Sequence, residues 1–183
     1  ILAGANARDR VLACVGALIG IAATSLLCSA LHLGDVALPL LIAPMGASAV
    51  LLFALPSSPL AQPWAIIGGQ VISALVGVAV AKLLAPSALS DGLAVGLAIA
   101  AMSLARCLHP PGGATALVAV IGGPAVHAAG FSFALVPVGL NAVVLVAAGI
   151  VFHRFTQHRY PHRAMAMPAP IRGERVLQRA DID

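Results

Sequence analysis

The stretch PMGASAV at residues 44–50 recurs in altered form as PGGATAL at residues 111–117. Both copies read Pro-x-Gly-Ala-(Ser/Thr)-Ala-apolar, and each follows a long apolar run. Each is followed by a short apolar piece, a proline-containing break and another long apolar run. This matching order of elements predicts an internal repeat. The alternative is a chance similarity between two Ala- and Gly-rich helices.

The composition around these motifs is that of a membrane protein. Of the 183 residues, 61% are hydrophobic and only 9% are charged, whereas a soluble domain carries about 25% charged residues. The run from 11 to 31 has no charge and is long enough to cross a bilayer. The abundant Gly and Ala residues favour close packing of helices within the membrane.

The repeat divides the apolar block into two halves, about 8–86 and 91–156, each with three membrane segments. An odd number of segments gives the second half the opposite orientation, as in the inverted repeats of many secondary transporters. We therefore expect an all-α integral membrane protein with about six membrane segments, some short or broken, in a transmembrane domain over 1–156. A reading with four full spans, in which the short segments only dip into the membrane, remains open.

The basic residues lie mainly on either side of this block, with Arg8 and Arg10 before it and an Arg-rich polar tail at 157–183. This pattern predicts that the N-terminus, Arg106 and the tail are cytoplasmic, with Lys82 as the one misplaced cation. A nucleic-acid partner is not expected, because such a partner requires a basic stripe on a folded face. The bilayer is the expected environment.

Enzyme signals are absent from the sequence. Cys14, Cys28 and Cys107 lack zinc-ligand spacing to one another and are read as small buried hydrophobic residues. There is no phosphate-binding loop, zincin helix or nucleophile elbow. We predict no catalytic residue, no metal and no cofactor.

The repeated motif has a specific chemical consequence. Proline ends a preceding helix and suits the first turn of a new one, so each copy predicts a helix that begins inside the membrane. Such a helix start offers free N–H groups and a positive dipole end, which together attract an anion. Ser48 and Thr115 are expected in the first turn, where each adds a hydroxyl donor. The predicted anion-binding residues are Gly46, Ala47 and Ser48 in the first copy, and Gly112, Gly113, Ala114 and Thr115 in the second.

Four further polar residues lie in or beside apolar segments. Arg106 is expected to raise the local positive potential, or else to extend to the cytoplasmic surface as an anchor. His109 would contact the anion or relay a proton, or else only cap the helix. Gln70 and Asn141 are lone amides near the starts of corresponding spans. They would line the cavity symmetrically, or else form interhelical hydrogen bonds.

Residues 109–117, HPPGGATAL, resemble the signature of the HPP family of integral membrane proteins. Residues 45–63, MGASAVLLFALPSSPLAQP, also resemble that family, and the similarity runs from about 8 to 156. The resemblance implies a multi-span bacterial or organellar membrane protein. Cyanobacterial and chloroplast members are described as nitrite transporters. The expected function is therefore transport of a small inorganic anion across the bacterial inner (plasma) membrane, with nitrite as the leading candidate substrate.

Two other functions fit the same residues. A passive anion channel would use the same site as a carrier. A membrane scaffold or regulatory subunit would use the prolines and glycines only for packing, and the Arg-rich tail for a partner or anionic lipid. The faces of small residues also suggest self-association as a homodimer or homotrimer.

Overall fold

A computed structural model describes residues 6–31, 41–156 and 159–162 of the chain. The described residues form helices and turns, with no strand among them, which confirms the all-α prediction. The helices are α1 (Ala7–Leu31), α2 (Pro44–Ala54), α3 (Pro63–Leu83), α4 (Ala88–Leu104), α5 (Pro110–Ile121), α6 (Pro124–Ala129) and α7 (Leu140–Arg154). A second apolar run in the sequence covers residues 36–55. Its first residues, 36–40, lie outside the described residues, and its later part forms α2.

Prolines mark where four of these helices begin. Pro44, Pro63, Pro110 and Pro124 are the first residues of α2, α3, α5 and α6. Proline suits this position because its missing N–H would have no partner within the helix and its φ angle is already helical. The prediction that the repeated motif begins new helices is confirmed.

The described helices differ in their ability to cross a membrane. By length and apolar composition, α1, α3 and the continuous apolar segment Pro124–Arg154 are long enough. α2, α4 and α5 are apolar but shorter. The segment Pro124–Arg154 is kinked, because Val136 leaves the helical conformation at φ −132° and ψ 118°. Val136 precedes Pro137, and the proline ring disfavours the helical region for the residue before it.

The two predicted halves of the chain, 8–86 and 91–156, are interleaved. α1 packs on α2, and α4 packs on α5, within their own halves. The third long helix of each half instead packs mainly on the other half: α3 lies against α4 and α5, and α7 lies against α1 and α2. Each half therefore completes the packing of the other, and the two motif helices α2 and α5 come into contact.

The backbones of α3 and α5 approach each other closely because α3 has glycines where the two helices meet. A methyl group added at Gly77 would lie 2.4 Å from the carbonyl oxygen of Ala116. One added at Gly69 would lie 2.8 Å from the carbonyl oxygen of Cys107. Small residues let helix backbones approach in this way. The close approach brings the middle of α3 directly against the first turns of α5.

The beginning of the predicted tail packs on the bundle. The Tyr160 hydroxyl donates to the carbonyl oxygen of Ala61 at 2.9 Å, and its burial raises the pKa of this hydroxyl. The His162 N–H donates to Gln62 Oε1 at 2.8 Å. Residues 157–158 and 163–183, the rest of the predicted polar tail, lie outside the described residues.

Candidate functional site

Four polar side chains meet inside the helix bundle. Ser48 lies on α2, Gln70 on α3, Thr115 on α5, and His109 is the residue that caps the start of α5. All four are fully buried, at 0% exposure. Polar groups inside a membrane protein are costly unless they are paired, and they commonly mark functional positions. We call Ser48, Gln70, His109 and Thr115 the polar cluster.

The cluster is held together by a chain of hydrogen bonds. The Thr115 hydroxyl donates to Gln70 Oε1, and Gln70 Nε2 donates to Ser48 Oγ at 2.8 Å. Ser48 Oγ lies 2.8 Å from His109 Nε2, and His109 Nδ1 lies 2.8 Å from the carbonyl oxygen of Leu60. The chain thus joins both copies of the repeated motif through one amide of α3.

The Leu60 carbonyl fixes which atom donates and which accepts in each hydrogen bond of the polar cluster. A carbonyl oxygen can only accept, so His109 Nδ1 carries a proton and donates to it. In a neutral imidazole His109 Nε2 is then an acceptor, and the Ser48 hydroxyl donates to it. Ser48 Oγ in turn accepts from Gln70 Nε2, which leaves Gln70 Oε1 to accept from Thr115. Each donor and acceptor has one consistent role.

The prediction that Ser48 and Thr115 lie in the first helical turn is wrong by about one turn. α2 begins at Pro44, and α5 begins at Pro110, one residue earlier than the motif suggests. Both hydroxyls therefore also lie near the carbonyl four residues earlier. Ser48 Oγ is 3.2 Å from the oxygen of Pro44, and Thr115 Oγ1 is 3.4 Å from the oxygen of Pro111.

The backbone amides predicted to hold an anion already have partners. The Gly46 N–H donates to the oxygen of Ala43 at 3.0 Å, and the Gly112 N–H donates to the oxygen of His109 at 2.8 Å. Pro110 and Pro111 have no N–H to offer. Amides farther along each helix bond within the helix, because only the first four N–H groups lack intrahelical partners. The helix starts keep their positive dipole ends but not free donors.

Several predicted site residues face away from the polar cluster. Gly46, Ala47 and Ala114 are exposed, and Gly113 is half-buried. Between α2 and α5 lies an open recess of about 480 Å³ with an apolar lining, formed by Ala47, Val50, Leu51, Pro110, Pro111 and Ala114. The two motif helices thus present hydroxyls inward and apolar atoms outward.

Asn141 does not join Gln70, although the two were predicted at corresponding positions. Its Oδ1 accepts from the N–H of Ile42 at 3.0 Å, and its Nδ2 lies 3.1 Å from the sulfur of Cys28. Asn141 is fully buried. It connects α7 to α1 and to the segment before α2.

Arg106 is exposed and ends α4 outside the polar cluster. The N–H of Arg106 donates to the oxygen of Ser103, and the N–H of Cys107 donates to the oxygen of Met102. This pair of bonds is the Schellman arrangement, which places the residue after the helix in the left-handed region. Arg106 has φ +54°, where glycine is usual. The structure does not bring its guanidinium among the buried hydroxyls.

We expect Arg106→Gly to leave the thermal midpoint of the detergent-solubilised protein unchanged or to raise it. A side chain in the left-handed region costs about 1 kcal/mol, and glycine avoids that cost. Arg154→Gly, at the helical end of α7, is the matched control and should lower the midpoint. A lower midpoint for Arg106→Gly would contradict the strain at this position and would indicate that the guanidinium makes a stabilising contact.

Ser73 is a buried polar residue that the sequence-based prediction missed. It lies three residues after Gln70 on α3, and its hydroxyl is fully buried without a hydrogen-bond partner. A methyl group added at Gly112 would lie 2.6 Å from Ser73 Oγ, so this hydroxyl faces the first turn of α5. Its spacing from Gln70, one helical turn, was the available signal.

Comparison with known proteins gives one family and two relatives. The family model described as HPP, transmembrane region, matches residues 3–161. Two proteins of Dictyostelium discoideum, named only as transmembrane proteins, are 40% identical over 69% of the chain and 38% identical over 66%. These matches cover 46% and 40% of the two proteins, so the chain spans less than half the length of either. No solved structure matches the chain.

Proposed function

This chain belongs to the HPP transmembrane family, and we propose that it carries a small inorganic anion, nitrite first, across the membrane. Nitrite comes first because the motifs resemble those of family members described as nitrite transporters. The observation that carries the proposal is the polar cluster: four fully buried polar side chains joined across the starts of α2 and α5 in a bundle whose core is mainly apolar. Transporter sites commonly lie at such interrupted helices between repeats.

The donors of the cluster now point at neutral internal acceptors. Gln70 Nε2 donates to Ser48 Oγ, the Ser48 hydroxyl donates to His109 Nε2, and the Thr115 hydroxyl donates to Gln70 Oε1. A neutral hydroxyl or amide donor gains strength when its acceptor is charged. An arriving anion can therefore take the place of an internal acceptor, held by Gln70 Nε2 and the two hydroxyls. The positive ends of α2 and α5 favour its charge.

His109 gives this arrangement a route to proton coupling. In the chain of hydrogen bonds its Nε2 accepts from Ser48. If His109 takes up a proton, Nε2 becomes a donor, and the Ser48 hydroxyl must turn toward another acceptor. An anion beside Ser48 is such an acceptor, so proton uptake and anion binding would support each other. A pH gradient should then change the rate of anion entry.

In the orientation proposed for this protein, the start of α1 and the end of α7 both lie on the cytoplasmic side of the membrane. Arg8, Arg10 and Arg154 lie at the ends of the apolar block, and Arg106 is exposed at the end of α4. Cytoplasmic loops and ends are enriched in such residues.

We expect Thr115→Val to reduce nitrite uptake by about tenfold while the protein still folds and inserts. Valine keeps the shape of threonine but removes the hydroxyl that donates to Gln70 Oε1. The measurement is uptake of nitrite, nitrate, chloride and formate into liposomes that hold the purified protein, with and without a pH gradient. Reading all four anions also tests the substrate.

Thr24→Val is the matched control for this experiment. Thr24 is equally buried, but its hydroxyl donates to the oxygen of Gly20 within α1, away from the polar cluster. Its uptake should equal that of the parent. If the parent protein, shown to be folded and inserted, moves none of the four anions, transport is wrong and a scaffold or regulatory role takes its place. If Thr115→Val transports like the parent, the site is elsewhere.

A further inference from the structure

Two buried side-chain atoms in the described part of the chain lack a hydrogen-bond partner, Ser73 Oγ and Asp91 Oδ1. Ser73 is 0% exposed and lies in the middle of α3, whereas Asp91 is only half-buried near the start of α4. An unpaired buried hydroxyl costs free energy and calls for a specific explanation. In the apolar interior of this bundle, that explanation is a ligand or a second conformation in which the hydroxyl is paired.

The Ser73 hydroxyl faces the start of α5, which offers a positive dipole end but no free N–H donor. Ser73 Oγ packs against Gly112, in the first turn of α5. The helix start provides a positive dipole end. Its N–H groups are spent, because Pro110 and Pro111 have none and Gly112 donates to His109. A negative ion at this point would need its hydrogen-bond donor from a neighbouring side chain.

Ser73 is well placed to supply that donor. It follows Gln70 by one turn on the same helix face, so a ligand of the polar cluster lies within reach of both. The space at Gly112 is filled in this arrangement, since a methyl group there would lie 2.6 Å from Ser73 Oγ and 2.9 Å from Met102 Sδ. A ligand can therefore reach Ser73 only when α3 and the first turn of α5 move apart.

We propose that Ser73 is a binding residue for the transported anion, which accepts a hydrogen bond from the Ser73 hydroxyl beside the first turn of α5. This inference rests on the proposed transport function and adds a subsite to it. The ligand class is a small monovalent anion with an exposed acceptor atom, such as nitrite. In the arrangement described here the side chains of the polar cluster are hydrogen-bonded to one another, whereas the Ser73 hydroxyl has no partner and can donate to a ligand.

The test separates stability from binding, using Ser73→Ala. Alanine removes a hydroxyl that has no partner, so the thermal midpoint without ligand should stay the same or rise. The half-saturating nitrite concentration for uptake should rise by about tenfold, the expected loss for one hydrogen bond to a charged group. Nitrite should also raise the thermal midpoint of the parent, because a ligand of the folded state stabilises it, and raise that of Ser73→Ala less.

The control is Ser103→Ala, the same change in α4, where the hydroxyl is exposed and donates to the oxygen of Ile99. It should match the parent in both measurements. Normal uptake and a normal nitrite-induced shift in Ser73→Ala would overturn the inference and leave the transport proposal standing. A lowered midpoint without ligand would show that Ser73 has a structural partner and would also overturn it. If the parent shows neither anion uptake nor a nitrite-induced shift of its thermal midpoint, both the transport proposal and the Ser73 inference are wrong.

Discussion

Gln70→Leu is expected to lower anion uptake by about 10- to 100-fold, with only a small loss of stability. Gln70 hydrogen-bonds to a side chain of each motif helix, Ser48 of α2 and Thr115 of α5. Removing its amide breaks the hydrogen-bonded connection between Ser48 and Thr115. Leucine retains most of the volume of glutamine, so the packing of α3 should survive.

The small cost in stability has a structural reason. After the change, Ser48 still lies 3.2 Å from the oxygen of Pro44, and Thr115 still lies 3.4 Å from the oxygen of Pro111. Neither hydroxyl is left without an acceptor, so the free energy of unfolding should fall by only about 1 kcal/mol or less.

Asn141→Leu is the comparison that makes the result specific. It removes the other buried amide, and it leaves the N–H of Ile42 without its acceptor. We expect Asn141→Leu to lower the thermal midpoint of the detergent-solubilised protein more than Gln70→Leu does. If instead Gln70→Leu transports normally, the polar cluster only holds helices together, and the proposed site is wrong.

Gly77→Ala is expected to lower the free energy of unfolding by about 1–3 kcal/mol or more. The yield of folded protein and its thermal midpoint should fall accordingly. The added methyl group would lie 2.4 Å from the carbonyl oxygen of Ala116 and 2.8 Å from Cβ of Ala119. The first of these atoms is backbone, so relief requires α3 and α5 to move apart. That movement would also separate Gln70 from Thr115, so uptake per folded molecule should fall as well.

Gly96→Ala serves as its control in α4. An added methyl group at Gly96 meets nothing within 4 Å, and alanine favours a helix over glycine by about 1 kcal/mol. Its midpoint in detergent should equal or exceed that of the parent. Equal losses in the two variants would mean that glycine matters for helix flexibility rather than for the close approach of α3 and α5.

The chemistry of the candidate site was partly predictable from local patterns. Ser48, Gln70, His109 and Thr115 were each singled out as polar residues in or beside apolar segments, and the structure brings them together. The roles of Gly46 and Gly112 were not predicted correctly, because a motif shows that a helix begins but not which carbonyl its first amides reach. Arg106 and Asn141 looked equivalent to the others by position along the chain, yet they lie elsewhere.

The amino-acid sequence by itself determined the membrane class, the helical content, the proline-marked helix starts and the recurrence of the Pro-x-Gly-Ala motif. These follow from local chemistry: apolar length, the fixed φ of proline and the order of segments. Only the tertiary structure decided that the halves interleave, so that α3 packs on α4 and α5 while α7 packs on α1 and α2. The packing of α3 on α5 includes the close backbone approach at Gly77, a contact between residues distant in the chain. It is the reason Gln70 reaches both motif helices and Asn141 does not.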